Sequence, residues 1–103
     1  MKSKNKRMNQ WITIKHKLFT MFIKKDITTC EVCKGKNYVL GLSFHHFKKR
    51  RFYYARPELL GKFSQNLLVD QTCHDILEHD KKLSDLKFRE LRGDEPFTDW
   101  MEL

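Results

Sequence analysis

From Trp11 to Lys25 the apolar residues Trp11, Ile14, Leu18, Met21 and Phe22 recur at helical spacing, with lysines between them. That pattern predicts an amphipathic helix with a basic polar side, although the Ile-Thr-Ile start favours strand and leaves the boundary open. Residues 1–9 are basic and polar and are expected to form a flexible tail. Beyond the helix, Ile27-Thr28-Thr29 leads into Cys30, and Lys34-Gly35-Lys36-Asn37 has the composition of a tight turn. Tyr38 to Phe44 is rich in β-formers and ends at His45-His46, so a strand is predicted there. Residues 47–65 read as an extended loop with a helical turn at Glu58-Leu59-Leu60. Leu67-Leu68-Val69 reads as the returning strand. From Cys73 to Arg92 the residues Ile76, Leu77, Leu83, Leu86 and Leu91 share one broad helical face, and Gly93 supplies a stop. The pattern predicts an α+β domain over residues 10–93, in the order helix, knuckle, strand, loop, strand, helix. An acidic, aromatic tail, 94–103, is expected to pack back through Pro96, Phe97 and Trp100.

A chain of 103 residues has room for one core and buries only roughly 60–65% of its unfolded surface, so a metal staple would help it. With 40% hydrophobic and 13% aromatic residues it is not disordered by composition. The net charge of +8 is unevenly spread. The first 25 residues hold eight cations and no acid, Lys48-Lys49-Arg50-Arg51 follows the paired histidines, and the last ten residues hold four acids and no base. That asymmetry suits a polyanion near the first two-thirds of the chain, the plainer alternative being a solvated surface. Three cysteines, two of them at Cys-x2-Cys spacing, fit metal better than disulfides and imply a reducing compartment. Trp11 to Ile23 is too short and polar to span a bilayer, and no secretory signal is recognisable; a soluble, intracellular, cytoplasmic protein without a membrane partner is expected.

The chemistry gathers in a split constellation of Cys30-Glu-Val-Cys33, His45-His46, Asn66 and Cys73-His74. Paired cysteines bind structural zinc, and paired histidines suit a catalytic metal beside a general base. In a basic protein this points to metal-assisted chemistry on nucleic acid.

These residues, in this order and spacing, resemble the HNH endonuclease family, whose ββα-metal (His-Me finger) core carries a Cys-x2-Cys knuckle. The resemblance covers roughly residues 20–92, through Cys30-Glu-Val-Cys33, Leu42-Ser-Phe-His45-His46, Asn66-Leu-Leu-Val and Asp70-Gln-Thr-Cys73-His74. It implies that His45 and His74 hold a divalent cation such as Mg²⁺, Mn²⁺ or Ni²⁺ on the scissile phosphate. It implies that His46 deprotonates the attacking water and that Asn66 braces the loop and His46. Structural Zn²⁺ would be held by Cys30, Cys33, Asp70 and Cys73, with Asp70 where the family usually has a cysteine. Gln65 occupies the family's usual register for the bracing amide, so either it or Asn66 fills that role; the shorter Asn66 suits local loop bonds better.

Plainer readings stand beside these. Neighbouring residues on a strand face opposite ways, so one of His45 and His46 could be core and the other surface. His79 lies five positions after His74, roughly 140° around a helix, and is read as surface, as is His16. Glu78, roughly 40° from His74, is either a third ligand or solvated. Lys48, Lys49, Arg50 and Arg51, with Lys24 and Lys25, are candidate nucleic-acid contacts. Of the following Phe52-Tyr53-Tyr54, at least one of Phe52 and Tyr54 is expected to point inward. The leading function is a metal-dependent DNA endonuclease, with RNA not excluded, of the kind carried by phages and mobile elements, acting as a homodimer or with a targeting protein. The alternatives are a non-catalytic zinc-stapled nucleic-acid-binding module and a protein-binding regulator using its aromatic tail.

Overall fold

The computed structural model describes residues 2–35 and 41–101, with side chains from Gln10 onward. The start of the expected strand at Tyr38 and the turn residues Lys36 and Asn37 fall outside them. Helix α1 spans Lys2–Lys24, so the basic segment assigned to a separate tail forms its first turns. The helix ends where Asp26 takes a positive φ of 63° and the Ile27 N–H returns to the Phe22 carbonyl at 2.8 Å. Strand β1, Leu42–His46, pairs antiparallel with β2, Asn66–Asp70, in a register that sets His46 opposite Asn66 and Leu42 opposite Asp70. The molecule is a small mixed α+β fold with a two-stranded sheet.

Between the strands lie a 3-10 turn, Arg50–Tyr54, the short helix α2, Pro57–Leu60, and a second 3-10 turn, Phe63–Gln65. The predicted helical turn is therefore present within a more structured connection. One detail reverses the expectation: Phe52 and Tyr54 are 46% and 54% exposed, and Tyr53 is the ring that goes inside. Tyr53 is buried because its hydroxyl finds partners, donating to Gln65 Oε1 at 2.8 Å and accepting from the Lys48 N–H.

The single helix expected over 73–92 is two, α3 at Gln71–His79 and α4 at Lys81–Arg92. Asp80 causes the break: its backbone leaves the helical region, at φ −132° and ψ 89°, and its carboxylate accepts the Leu83 N–H, capping α4. Gly93, at φ 71°, ends α4 in a conformation that suits glycine. Helix α5, Glu95–Thr98, follows and turns the tail back onto the domain.

Alternation along β1 divides its neighbours. Phe44 meets Phe19 and Phe22 of α1, with ring centroids 4.7 and 5.1 Å apart, while His45 meets His74 of α3 and Phe88 of α4. Leu18, Phe22, Leu67, Leu68, Val69, Leu77 and Phe88 form the core between these layers. A buried ion pair ties it together: Arg92 donates to Glu31 at 2.7 and 2.8 Å, the two side chains being 4% and 7% exposed. Glu31 also accepts the Leu68 N–H, while Arg92 donates to the carbonyls of Phe63 and Asn66. Among the described residues no helix is long and apolar enough to cross a membrane.

Candidate functional site

Cys30, Cys33, Asp70 and Cys73 each bring a ligand atom within 4.8 Å of the others, a group that could hold a metal ion. The 30–33 turn is fastened to β2 by the Glu31 N–H on the Leu68 carbonyl at 2.8 Å. Asp70 ends β2 and caps α3, its Oδ1 accepting the Cys73 N–H at 2.8 Å, which turns Oδ2 toward Cys33 Sγ at 3.0 Å. A Cβ at Gly35 would stand 3.1 Å from Cys33 Sγ, so glycine keeps the sulfur clear.

The ionisation of the group fits a cation. Burial opposes the Cys30 thiolate, but backbone hydrogen bonds at Cys33, Asp70 and Val32 outweigh it and hold the thiol below its ordinary range. The Asp70 carboxylate, itself kept low first by the Cys73 N–H and then by the Cys33 thiol, pushes Cys33 up. Burial pushes Cys73 up as well. Four acids this close cannot all carry charge alone, and a cation removes the conflict.

A second group joins β1 to α3. His45, His74 and Glu78 place their ligand atoms within 4.8 Å of one another. His45 is 4% exposed; its Nε2 lies 2.8 Å from Ser84 Oγ, while Nδ1 is buried without a hydrogen-bond partner. That nitrogen is 3.8 Å from Glu78 Oε1, and His74 Nε2 is 3.3 Å from the same oxygen. Burial, with His74, His46 and Lys81 adding to it, pushes His45 down to about 3, so its ring is neutral at physiological pH. Ser84 Oγ can take the Nε2 proton, and in that tautomer the Nδ1 lone pair faces Glu78 and His74, as a metal ligand's would. Glu78 thus sits with the histidines, while His79 turns its Nδ1 to the Asp75 carbonyl.

His46 leaves β1 on the other face. Asn66 is fully buried and gives both amide hydrogens away, to the carbonyls of Leu60 and Lys62 at 2.8 and 2.9 Å. Its Oδ1 therefore faces His46 Nδ1 at 2.8 Å, which fixes the proton on Nδ1 and leaves the Nε2 lone pair free. Burial lowers His46 to about 4 against the opposing Asn66 bond, so this ring too is neutral near pH 7 and can accept a proton. Trp11 and Tyr53 flank it at 5.0 and 5.8 Å.

Gln65 points away from His46. It collects Tyr53, the Trp100 indole N–H, the Pro96 carbonyl and Asp99, making it the hub of the C-terminal clasp. Of the two amides open at the level of sequence, Asn66 is the one beside His46.

The basic residues form separate patches. Lys48 Nζ lies over Phe47, Phe52 and Trp100, Arg50 over Trp11 and Arg51 over Phe52, while Lys49 is exposed. Lys24, at the end of α1, lies about 20 Å along the helix axis from Trp11, the α1 residue beside His46. Sequence reasoning missed Ser84, Glu31, Arg92 and Asp99 as supports, and Trp11 as a neighbour of His46. Only Glu31, held between two cysteines, had a position that could have drawn notice.

Compared with protein-family models, curated proteins and solved structures, the chain matches none.

Proposed function

We propose that the chain is a metal-dependent endonuclease of the HNH type that hydrolyses nucleic-acid phosphodiesters, with β1, β2 and α3 as a ββα-metal core. One observation carries the reading: adjacent strand residues give an oriented, neutral imidazole on one face and a His45–His74–Glu78 group with an orphan buried nitrogen on the other. The two faces meet at the end of β1, so a phosphodiester drawn across it has a base on one side and a cation site on the other.

His45 through Nδ1, His74 and Glu78 would hold the cation, which when bound supplies charge to stabilise the phosphorane-like transition state and the leaving oxygen. His46 takes a proton from water through Nε2 as the water oxygen attacks phosphorus and the bond to the leaving oxygen breaks. Asn66 accepts the Nδ1–H and keeps the ring in the tautomer that this transfer needs; its own amide is held by Leu60 and Lys62. Ser84 orients His45 in the same manner. Zinc held by Cys30, Cys33, Asp70 and Cys73 would fasten the knuckle to the start of α3. Phe97 packs on Phe47 and Trp100 on Tyr53, an inward arrangement that disfavours the tail as a regulator's contact surface.

Cleavage of supercoiled plasmid with Mg²⁺, Mn²⁺ or Ni²⁺, run beside the His46→Ala protein, tests the reading. The parent is expected to cleave and the variant to lose about 100-fold or more with its DNA affinity intact. No cleavage with any of these ions, with tight salt-sensitive binding, would replace it with the non-catalytic binding module.

A further inference from the structure

We propose that Arg50 is the phosphate-binding residue of this site, held ready by Trp11, and that its guanidinium takes a non-bridging oxygen of the phosphodiester facing His46. The inference rests on the nuclease reading and adds the group that grips the substrate. Arg50 opens the 3-10 turn just after β1, and its guanidinium carbon lies 4.5 Å from the centroid of the Trp11 ring. The same indole meets the His46 ring nearly at right angles, with centroids 5.0 Å apart. One side chain from α1 thus carries the cation and touches the histidine.

Stacking occupies the face of a guanidinium and leaves its N–H donors in the plane, where a phosphate accepts them in pairs. The arginine's other relationships leave it available. Arg56, Arg89 and Arg92 are each paired with a carboxylate, Glu58, Asp94 and Glu31. Among the described residues Arg50 forms no ion pair, and it is exposed. Arg51 also forms none among them, but it lies over Phe52, a ring turned to solvent. An unpaired cation held over the indole that also meets the His46 ring fits an anion bound beside that ring. Trp11 is then a positioning residue, and Arg50 the residue that touches substrate.

The test uses the full chain and a labelled DNA duplex. In the His46→Ala background, which holds DNA uncleaved, Arg50→Ala is expected to lower the slope of log affinity against log salt by about one between about 50 and 200 mM salt. On the parent background it is expected to lower kcat/KM about 100-fold, with most of the loss in kcat. Arg50→Lys should restore the slope but not the rate, because an ammonium lacks the planar pair of donors. Trp11→Phe, which keeps a ring under the guanidinium, should stay close to the parent, and Trp11→Leu should fall toward Arg50→Lys. An unchanged slope in Arg50→Ala overturns the phosphate contact. A lower slope with kcat unaffected overturns its placement beside His46. A parent that never cleaves, with a slope that still falls by one, sinks the nuclease reading and leaves the phosphate contact standing.

Discussion

The two faces of β1 treat neighbouring histidines differently. On the α1 face His46 has its Nδ1 proton assigned by an asparagine that is itself fully occupied, between Trp11 and Tyr53. On the α3–α4 face His45 has one nitrogen on Ser84 and the other buried without a partner, beside a histidine and a carboxylate. A buried polar atom without a bond costs about 1–3 kcal/mol, a cost that a cation on Nδ1 would remove. The contrast separates a ring whose proton is placed by its neighbour from a cluster that could hold a metal ion, although the two residues are adjacent in sequence.

Activity should separate the faces most sharply. His46→Ala and His45→Ala are both expected to abolish cleavage, by about 100-fold or more, but only the second should also remove the rise in melting temperature that Ni²⁺ or Mn²⁺ gives. Loss of that rise in His46→Ala would mean that the faces are not separate. Glu78→Gln should behave like His45→Ala in the melting experiment and thereby establish the carboxylate as a ligand.

Beneath the braced face lies the Glu31–Arg92 pair, whose arginine also holds the Asn66 carbonyl. Arg92→Ala strands a buried carboxylate and should cost about 3–5 kcal/mol in chemical denaturation, with the His46 side losing order first in hydrogen exchange. A cost below about 1 kcal/mol would show that the pair is a passenger.

The smallest effect concerns the clasp. Burial opposes the charge on Asp99, but Lys62, then Ser64 and Gln65, outweigh it and hold the carboxyl below its ordinary range. A carboxyl depressed by folding contributes stability above its unfolded pKa of about 3.9, and the contribution is lost as pH falls through the folded value. Asp99→Asn should therefore cost about 1–2 kcal/mol at neutral pH and flatten the acid limb of the stability curve. Because the Lys62 carbonyl also accepts from Asn66, the variant should loosen the His46 face and spare the His45 face.

The order of the elements was legible in sequence because strands and helices differ in period, whereas the grouping of Cys30 and Cys33 with Asp70 and Cys73, 37 positions from Cys33 to Asp70, came from the family resemblance and not from any local spacing. The break at Asp80 was hidden: apolar spacing runs across it, and only the capping carboxylate marks it. The choice between Gln65 and Asn66 depended on whether each lay in the strand or in the turn before it, a boundary that no local pattern sets. Phe52 and Tyr54 looked as ready to be buried as Tyr53; what decided was the hydroxyl's access to Gln65, 12 residues away. Ser84 and Arg92 carried no signal, since their roles exist only once α4 lies against β1 and β2.

Asp70 has a consequence for how this chain can evolve. One oxygen starts α3 and the other faces the sulfur of a residue 37 positions earlier. A cysteine here would be the softer, tighter ligand for zinc, but it would surrender the cap, a loss of about 1 kcal/mol. The aspartate keeps the start of α3 whether or not the group holds a metal.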